Sequence, residues 1–197
     1  SKVMKIFSFI LFFILSMMSG YAENTVKVLF SPDNNVTFSA YEVGGLLKYK
    51  ISYKGKPVIL ESQLGIDGWS RNLEIERIDS SSVHKTWHPV YGERAVVEDC
   101  YKEYNYTLKI KGRGSRLALI VRAYNSGIGF RYKYLGSSYL RISKEETTFV
   151  VPENTYCWFA PFAQAEHKRM LVKDWPGEAE RPLTLQLDCL LYTSPSP

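Results

Sequence analysis

The chain is predicted to be all-β, an antiparallel β-sandwich, and three observations predict it. Apolar and polar residues alternate with period two in several separate segments, the signature of strands with one buried face. Glycine-centred turns part those segments, and no stretch after residue 22 carries the period of an amphipathic helix. Fourteen tyrosines among 197 residues add the aromatic enrichment that pleated, half-buried surfaces favour.

At the N-terminus, Met4-Lys5 leads into the apolar run IFSFILFFILSMM, and Gly20-Tyr21-Ala22 places small residues where a signal peptidase reads. Residues 1–22 are therefore expected to be a secretory signal peptide cut after Ala22, with residues 1–3 upstream of the start Met. The run is shorter than the ~20 apolar residues of a bilayer span. Membrane contact is thus expected only through this leader, and the mature protein is expected to be exported to the periplasm.

Strands are expected at residues 26–30 and 36–41. Leu47, Tyr49, Ile51 and Tyr53 then alternate with Lys48, Lys50 and Ser52, and Lys54-Gly55-Lys56-Pro57 supplies turn residues before a strand at 58–60. A strand at 73–78 leads to TWHPVYGE at 86–93, where Pro89 and Gly92 predict a rim loop around Trp87. Tyr104, Tyr106, Leu108 and Ile110 alternate with Asn105, Thr107, Lys109 and Lys111. Gly112-Arg113-Gly114-Ser115 turns the chain into Leu117, Leu119, Val121 and Ala123, which makes a hairpin. Asn125-Ser126-Gly127 opens the next strand, with Ile128, Phe130, Tyr132 and Tyr134 on one face. Gly129 is a side-chain-free position in it, expected where a neighbouring sheet or loop approaches closely. Strands at 139–142 and 147–151 follow, then a long loop at 165–182, and residues 181–188 begin a further strand. Residues 23–188 read as one domain without internal repeats. CLLYTSPSP at 189–197 resembles the translated frame of a DNA-sequencing adapter and is set aside as a non-native tail.

The chain carries 25 Lys+Arg against 20 Asp+Glu, a net charge of +5, and only Lys2 and Lys5 leave with the leader. Basic and acidic residues are interspersed, which argues against nucleic acid as a partner. No Gly-rich phosphate loop, GxSxG elbow or HExxH motif occurs. His84, His88, Glu93 and Glu98 bring metal-type and acid–base side chains into one stretch. Their spacing fits no helix face, and polar groups on a sandwich rim account for them; Glu93 is the one functional carboxylate that this loop offers. Trp69, Trp87, Trp158 and Trp175 have the rings to stack on sugars, although sandwiches more often spend tryptophan on a core or a domain interface. Glu166, Asp174, Glu178 and Glu180 fall in the long loop, whose length points to function, without the spacing of a calcium-binding loop. Cys100 and Cys157 are either two buried thiols or one disulfide.

Five stretches come in an order that carries a resemblance: SYKGKPVIL at 52–60, TWHPVYGE at 86–93, RAYNSGIGFRY at 122–132, CWFAP at 157–161 and RPLTLQ at 181–186. Together they resemble the N-terminal domain of glycoside hydrolase family 97. The resemblance implies a β-supersandwich of the galactose-mutarotase-like type, here truncated at its C-terminal end. It implies a parent enzyme of the α-glucosidase or α-galactosidase type, exported and acting on oligosaccharides. The catalytic carboxylates are then expected on a downstream (β/α)8 barrel, so no catalytic residue is assigned within this chain. It also implies calcium at the active site of the whole enzyme, with Glu166 as the candidate ligand here. The alternative is a free-standing carbohydrate-binding or mutarotase-like module.

Overall fold

The computed structural model describes residues 26–88, 90, 96–180, 182–187 and 190–193. The expected leader, together with Pro89, Gly92 and Glu93, lies outside the described residues. Among those described, twelve strands form three four-stranded antiparallel sheets. The first sheet runs in chain order through β1 (Val28–Phe30), β2 (Val36–Val43), β3 (Leu46–Tyr53) and β4 (Lys56–Leu64). The second does the same through β5 (Leu73–Trp87), β6 (Val97–Ile110), β7 (Arg116–Tyr124) and β8 (Gly127–Tyr134). The third contains β9 (Tyr156–Phe159), β10 (Lys168–Leu171), β11 (Thr184–Leu187) and β12 (Leu190–Thr193), ordered β10-β9-β11-β12.

The period-two residues of the first two sheets meet across one core. Phe38 and Tyr49 from the first, and Tyr106, Leu119 and Val121 from the second, are fully buried. The rings of Phe38 and Tyr106 approach edge-on with centroids 6.3 Å apart, and Tyr49 meets Phe130 at 6.2 Å. Each such burial is worth roughly 1.5–3 kcal/mol, and together they hold the sheets face to face as a sandwich. The third sheet closes on the same core through Cys157, Phe159, Leu185 and Leu187.

Several elements differ from expectation. The turn before β4 uses only Lys54 and Gly55, both left-handed at φ 48° and 77°; Lys56 already pairs with Tyr53, and Pro57 with Ser52. Two left-handed residues match the twist of the flanking strands, so the chain reverses sooner than its Pro suggests. The β5 strand does not stop at Ile78 but continues to Trp87, paired throughout with β6 from Ile110 back to Val97. Beyond Asp79 this ribbon is mostly exposed on β5, so no apolar period marks its far half. Trp87 is consequently the last residue of a strand and half exposed at 52%, not part of a rim loop.

Residues 139–142 and 147–151 form no strand. The second segment is instead laced to β4: the N–H groups of Glu146 and Thr148 donate to the carbonyls of Gly65 and Gln63, and that of Leu60 to Val150. Hydroxyls take over further bonds, with Gln63 N–H donating to Thr148 Oγ1 and Val150 N–H to Ser62 Oγ, each at 2.8 Å. Side-chain oxygens in the place of carbonyls interrupt a regular ladder. The expected long loop at 165–182 holds β10, paired with β9, and a 3-10 turn at Val172–Asp174. The segment set aside from Cys189 includes β12, which pairs with β11. Gly129 sits in β8 with no atom within 4 Å of the place where a Cβ would stand, so the close approach expected there is not made by the described residues.

Candidate functional site

The described part of the histidine and acid stretch is an exposed two-stranded ribbon. His84 lies opposite Cys100 and Glu98 opposite Thr86, all on the β5–β6 ribbon, and His84, His88 and Glu98 are exposed. Cys100, half-buried, and Cys157, fully buried, are free thiols, which decides against their disulfide. Burial pushes the Cys157 thiol above its ordinary value.

The tryptophans divide by environment. Trp69 is in the core, edge-on to Tyr134 at 6.4 Å. Trp175 packs against Phe159 at 6.1 Å and its indole N–H donates to the Glu178 carbonyl at 3.0 Å. Trp158 faces outward, because β9 alternates: Cys157 and Phe159 are buried, while Tyr156 and Trp158 are partly exposed on the opposite face. Arg169 of β10 stands directly across from Trp158. Its guanidinium lies over the Tyr156 ring at 3.7 Å and over the Trp158 ring at 5.1 Å. One guanidinium nitrogen also donates to Gln186 Oε1 on β11 at 3.3 Å. A stacked arginine keeps its N–H edge available to carboxylate or hydroxyl oxygens, so this outer face presents a positioned polar group among the described residues. The alternation in TLQL carries a signal for Gln186, whereas YCWF is apolar throughout and Arg169 is hidden in what reads as loop.

Glu166 is exposed on the connection between β9 and β10, and Asp174, Glu178 and Glu180 are exposed as well. Among the described residues no group of three or more His, Cys, Asp or Glu side chains is placed to hold a metal. Calcium takes six to eight oxygens, and Glu166 is not gathered with two further His, Cys, Asp or Glu side chains among the described residues.

Several carboxyls are held below their ordinary values: Asp33 by the Ser31 hydroxyl, Asp67 by Ser143, Glu74 by Lys109, Glu76 by Arg116 and Glu146 by Ser70. A general acid needs the reverse, a carboxyl raised toward neutrality. These five serve as anions in hydrogen bonds and ion pairs.

A family model described as Glycosyl-hydrolase 97 N-terminal matches residues 29–193. The chain belongs to glycoside hydrolase family 97, as an N-terminal domain. All five stretches that carry the resemblance fall inside the matched span. A solved family 97 enzyme from Pseudoalteromonas sp. strain K8, in complex with acarbose, is similar to this domain with a TM-score of 0.75 and 25% identity, over 82% of this chain and 27% of that one. A variant of the Pseudoalteromonas enzyme in complex with panose gives the same values. A β-arabinopyranosidase shares the fold, with a TM-score of 0.69 at 18% identity over 81% of this chain and 29% of that one. This family 97 domain therefore spans little more than a quarter of the length of these solved enzymes. Within it, the Arg169 face and the exposed Glu166 both belong to the β9–β10 region.

Proposed function

We propose that this family 97 domain is the non-catalytic N-terminal sandwich of an exported, periplasmic α-glycosidase, of the α-glucosidase or α-galactosidase type, acting on oligosaccharides. It packs on a (β/α)8 catalytic barrel carried by the same full-length polypeptide, and the barrel supplies the acid and the base or nucleophile. The observation that carries this reading is the match of residues 29–193 to an N-terminal domain of glycosyl hydrolases. Its support from physical chemistry is that the five carboxyls named above are stabilised as anions, the wrong state for protonating a leaving group. The acarbose and panose complexes of the Pseudoalteromonas enzyme favour a sugar substrate. Calcium belongs, in this reading, to the whole enzyme, with Glu166 supplying one carboxylate and the other oxygens coming from outside this chain.

The test is hydrolysis of p-nitrophenyl α-glucoside and α-galactoside by the chain alone and by the full-length protein. The chain is expected to turn over neither, and the full-length protein one of them. Turnover by the chain that disappears on mutating one of its own residues would overturn the assignment.

A further inference from the structure

Three features of β8 converge on one place. The first is Gly129, whose φ is not left-handed, so its backbone does not require glycine. No atom of the described residues lies within 4 Å of its missing Cβ, so packing among them does not require glycine either. A glycine inside a strand weakens it; here it leaves a shallow groove of about 220 Å³ lined by Ile120, Arg122, Tyr124, Phe130 and Arg131. The second is charge. On and beside this sheet Arg77 pairs with Asp79, Lys109 and Lys111 with Glu74, Arg116 with Glu76, and Arg122 with Glu103. Arg131 and Lys133, on the same outward face of β8 as Gly129, make no ion pair among the described residues. The third is backbone: β8 is an outer strand with β7 on one side, and among the described residues no backbone hydrogen bond leaves its other edge.

We propose that β8 accepts an added strand from an acidic, extended polypeptide segment. The segment's main chain pairs with the free edge, a large side chain fills the space above Gly129, and carboxylates two and four residues away meet Arg131 and Lys133. Lone edge cations are a common guard against sheet-to-sheet aggregation, but that role explains the arginine and lysine without the glycine. A second copy of this chain is the wrong occupant, because two β8 strands side by side would gather four uncompensated cations on one short ribbon. The other outer strand, β5, carries acids of its own in Glu74, Glu76 and Asp79, and lacks the pattern.

The probes are two synthetic peptides, acetyl-Val-Glu-Val-Glu-Val-Phe-Val-amide and its counterpart with lysine for glutamate, added to the isotope-labelled chain while amide exchange is followed. The glutamate peptide should protect the β8 amides and bind about tenfold more tightly than the lysine peptide. The double variant Arg131→Glu, Lys133→Glu should reverse that preference. Gly129→Val should leave the melting temperature of the chain unlowered, since the space is open, yet weaken the glutamate peptide by blocking its phenylalanine. Equal binding of both peptides, protection on β5 or none on β8, or no effect of Gly129→Val would each overturn the proposal. Concentration-dependent dimerisation abolished by the double variant would assign the edge to a second copy, and would overturn it too.

Discussion

Tyr106 places a phenol in the middle of an apolar core. Its ring is fully buried against Phe38 and Tyr104. The Ala40 backbone acts on its hydroxyl, yet no hydrogen bond of ordinary geometry is completed. A buried, unsatisfied hydroxyl costs stability, while the ring around it contributes packing. Tyr106→Phe is therefore expected to leave stability unchanged or to raise it by about 1 kcal/mol, whereas Tyr106→Ala should cost about 3–5 kcal/mol. Urea unfolding measures both, and a loss of more than ~1 kcal/mol in the Phe variant would mean that the hydroxyl has a working partner. Residues of this kind were legible in the sequence because an inward strand position needs only its alternation to be recognised. Trp87 was not: its neighbours Pro89 and Gly92 read as loop, and pairing with Val97 across the ribbon decides its place instead.

At the scale of elements, the strands over the core were predictable and those off it were not. The far half of β5 has serines at 80, 81 and 82 and an exposed surface, so backbone pairing alone sustains it and leaves no hydrophobic trace. Residues 147–151 show the opposite error, with apolar, β-branched composition but a ladder broken by hydroxyls. Ser62, buried at 1%, accepts from Val150 N–H and donates to the Leu60 carbonyl. Ser62→Ala should thus strand the Val150 N–H and cost about 1–3 kcal/mol. Amide exchange at Val150 and Thr148 should quicken well before that of β7. An unaltered exchange rate there would show that the segment is held by its side chains rather than by this lacing. The third sheet was visible only in β11, from the alternation of TLQL; YCWF of β9 is apolar throughout and shows no period, β10 lies in what reads as loop, and β12 falls in the tail set aside as non-native.

For the whole molecule, charge and burial set the pH range over which the fold persists. The carboxyls of Asp33, Asp67, Glu74, Glu76 and Glu146 lie below their ordinary values of 3.8 and 4.5 in the folded chain. Such groups contribute stability above their unfolded values and lose it as pH falls through the folded ones. At the other end, burial pushes the Tyr132 hydroxyl up to about 12 from 10.0, and raises that of Tyr106 too. Raised phenols contribute their stability below the unfolded value and lose it as pH climbs toward the folded one. The melting temperature should accordingly be flat near neutrality, decline below pH 4.5 and decline again above pH 10.0. A melting temperature that rises on acidification from neutral pH to below 3.8 would contradict the assignment of these carboxyls. Less of the candidate site than of the fold was legible. Glu166 could be picked out as a carboxylate in a loop, but the Arg169 stack depends on which strands lie side by side, and that pairing is long-range.

The buried sulfur of Cys157 has a use of its own. It lies on the inner face of β9 with no exposure, between β10 and β11, while Cys100 is half-open on the ribbon. With Cys189 changed to serine, a small alkylating reagent would meet one thiol promptly and the other only when the third sheet lifts from the sandwich. The chain thus carries an internal stopwatch: the lag between the two modifications times how often that sheet detaches, without a label or a mutation in the core.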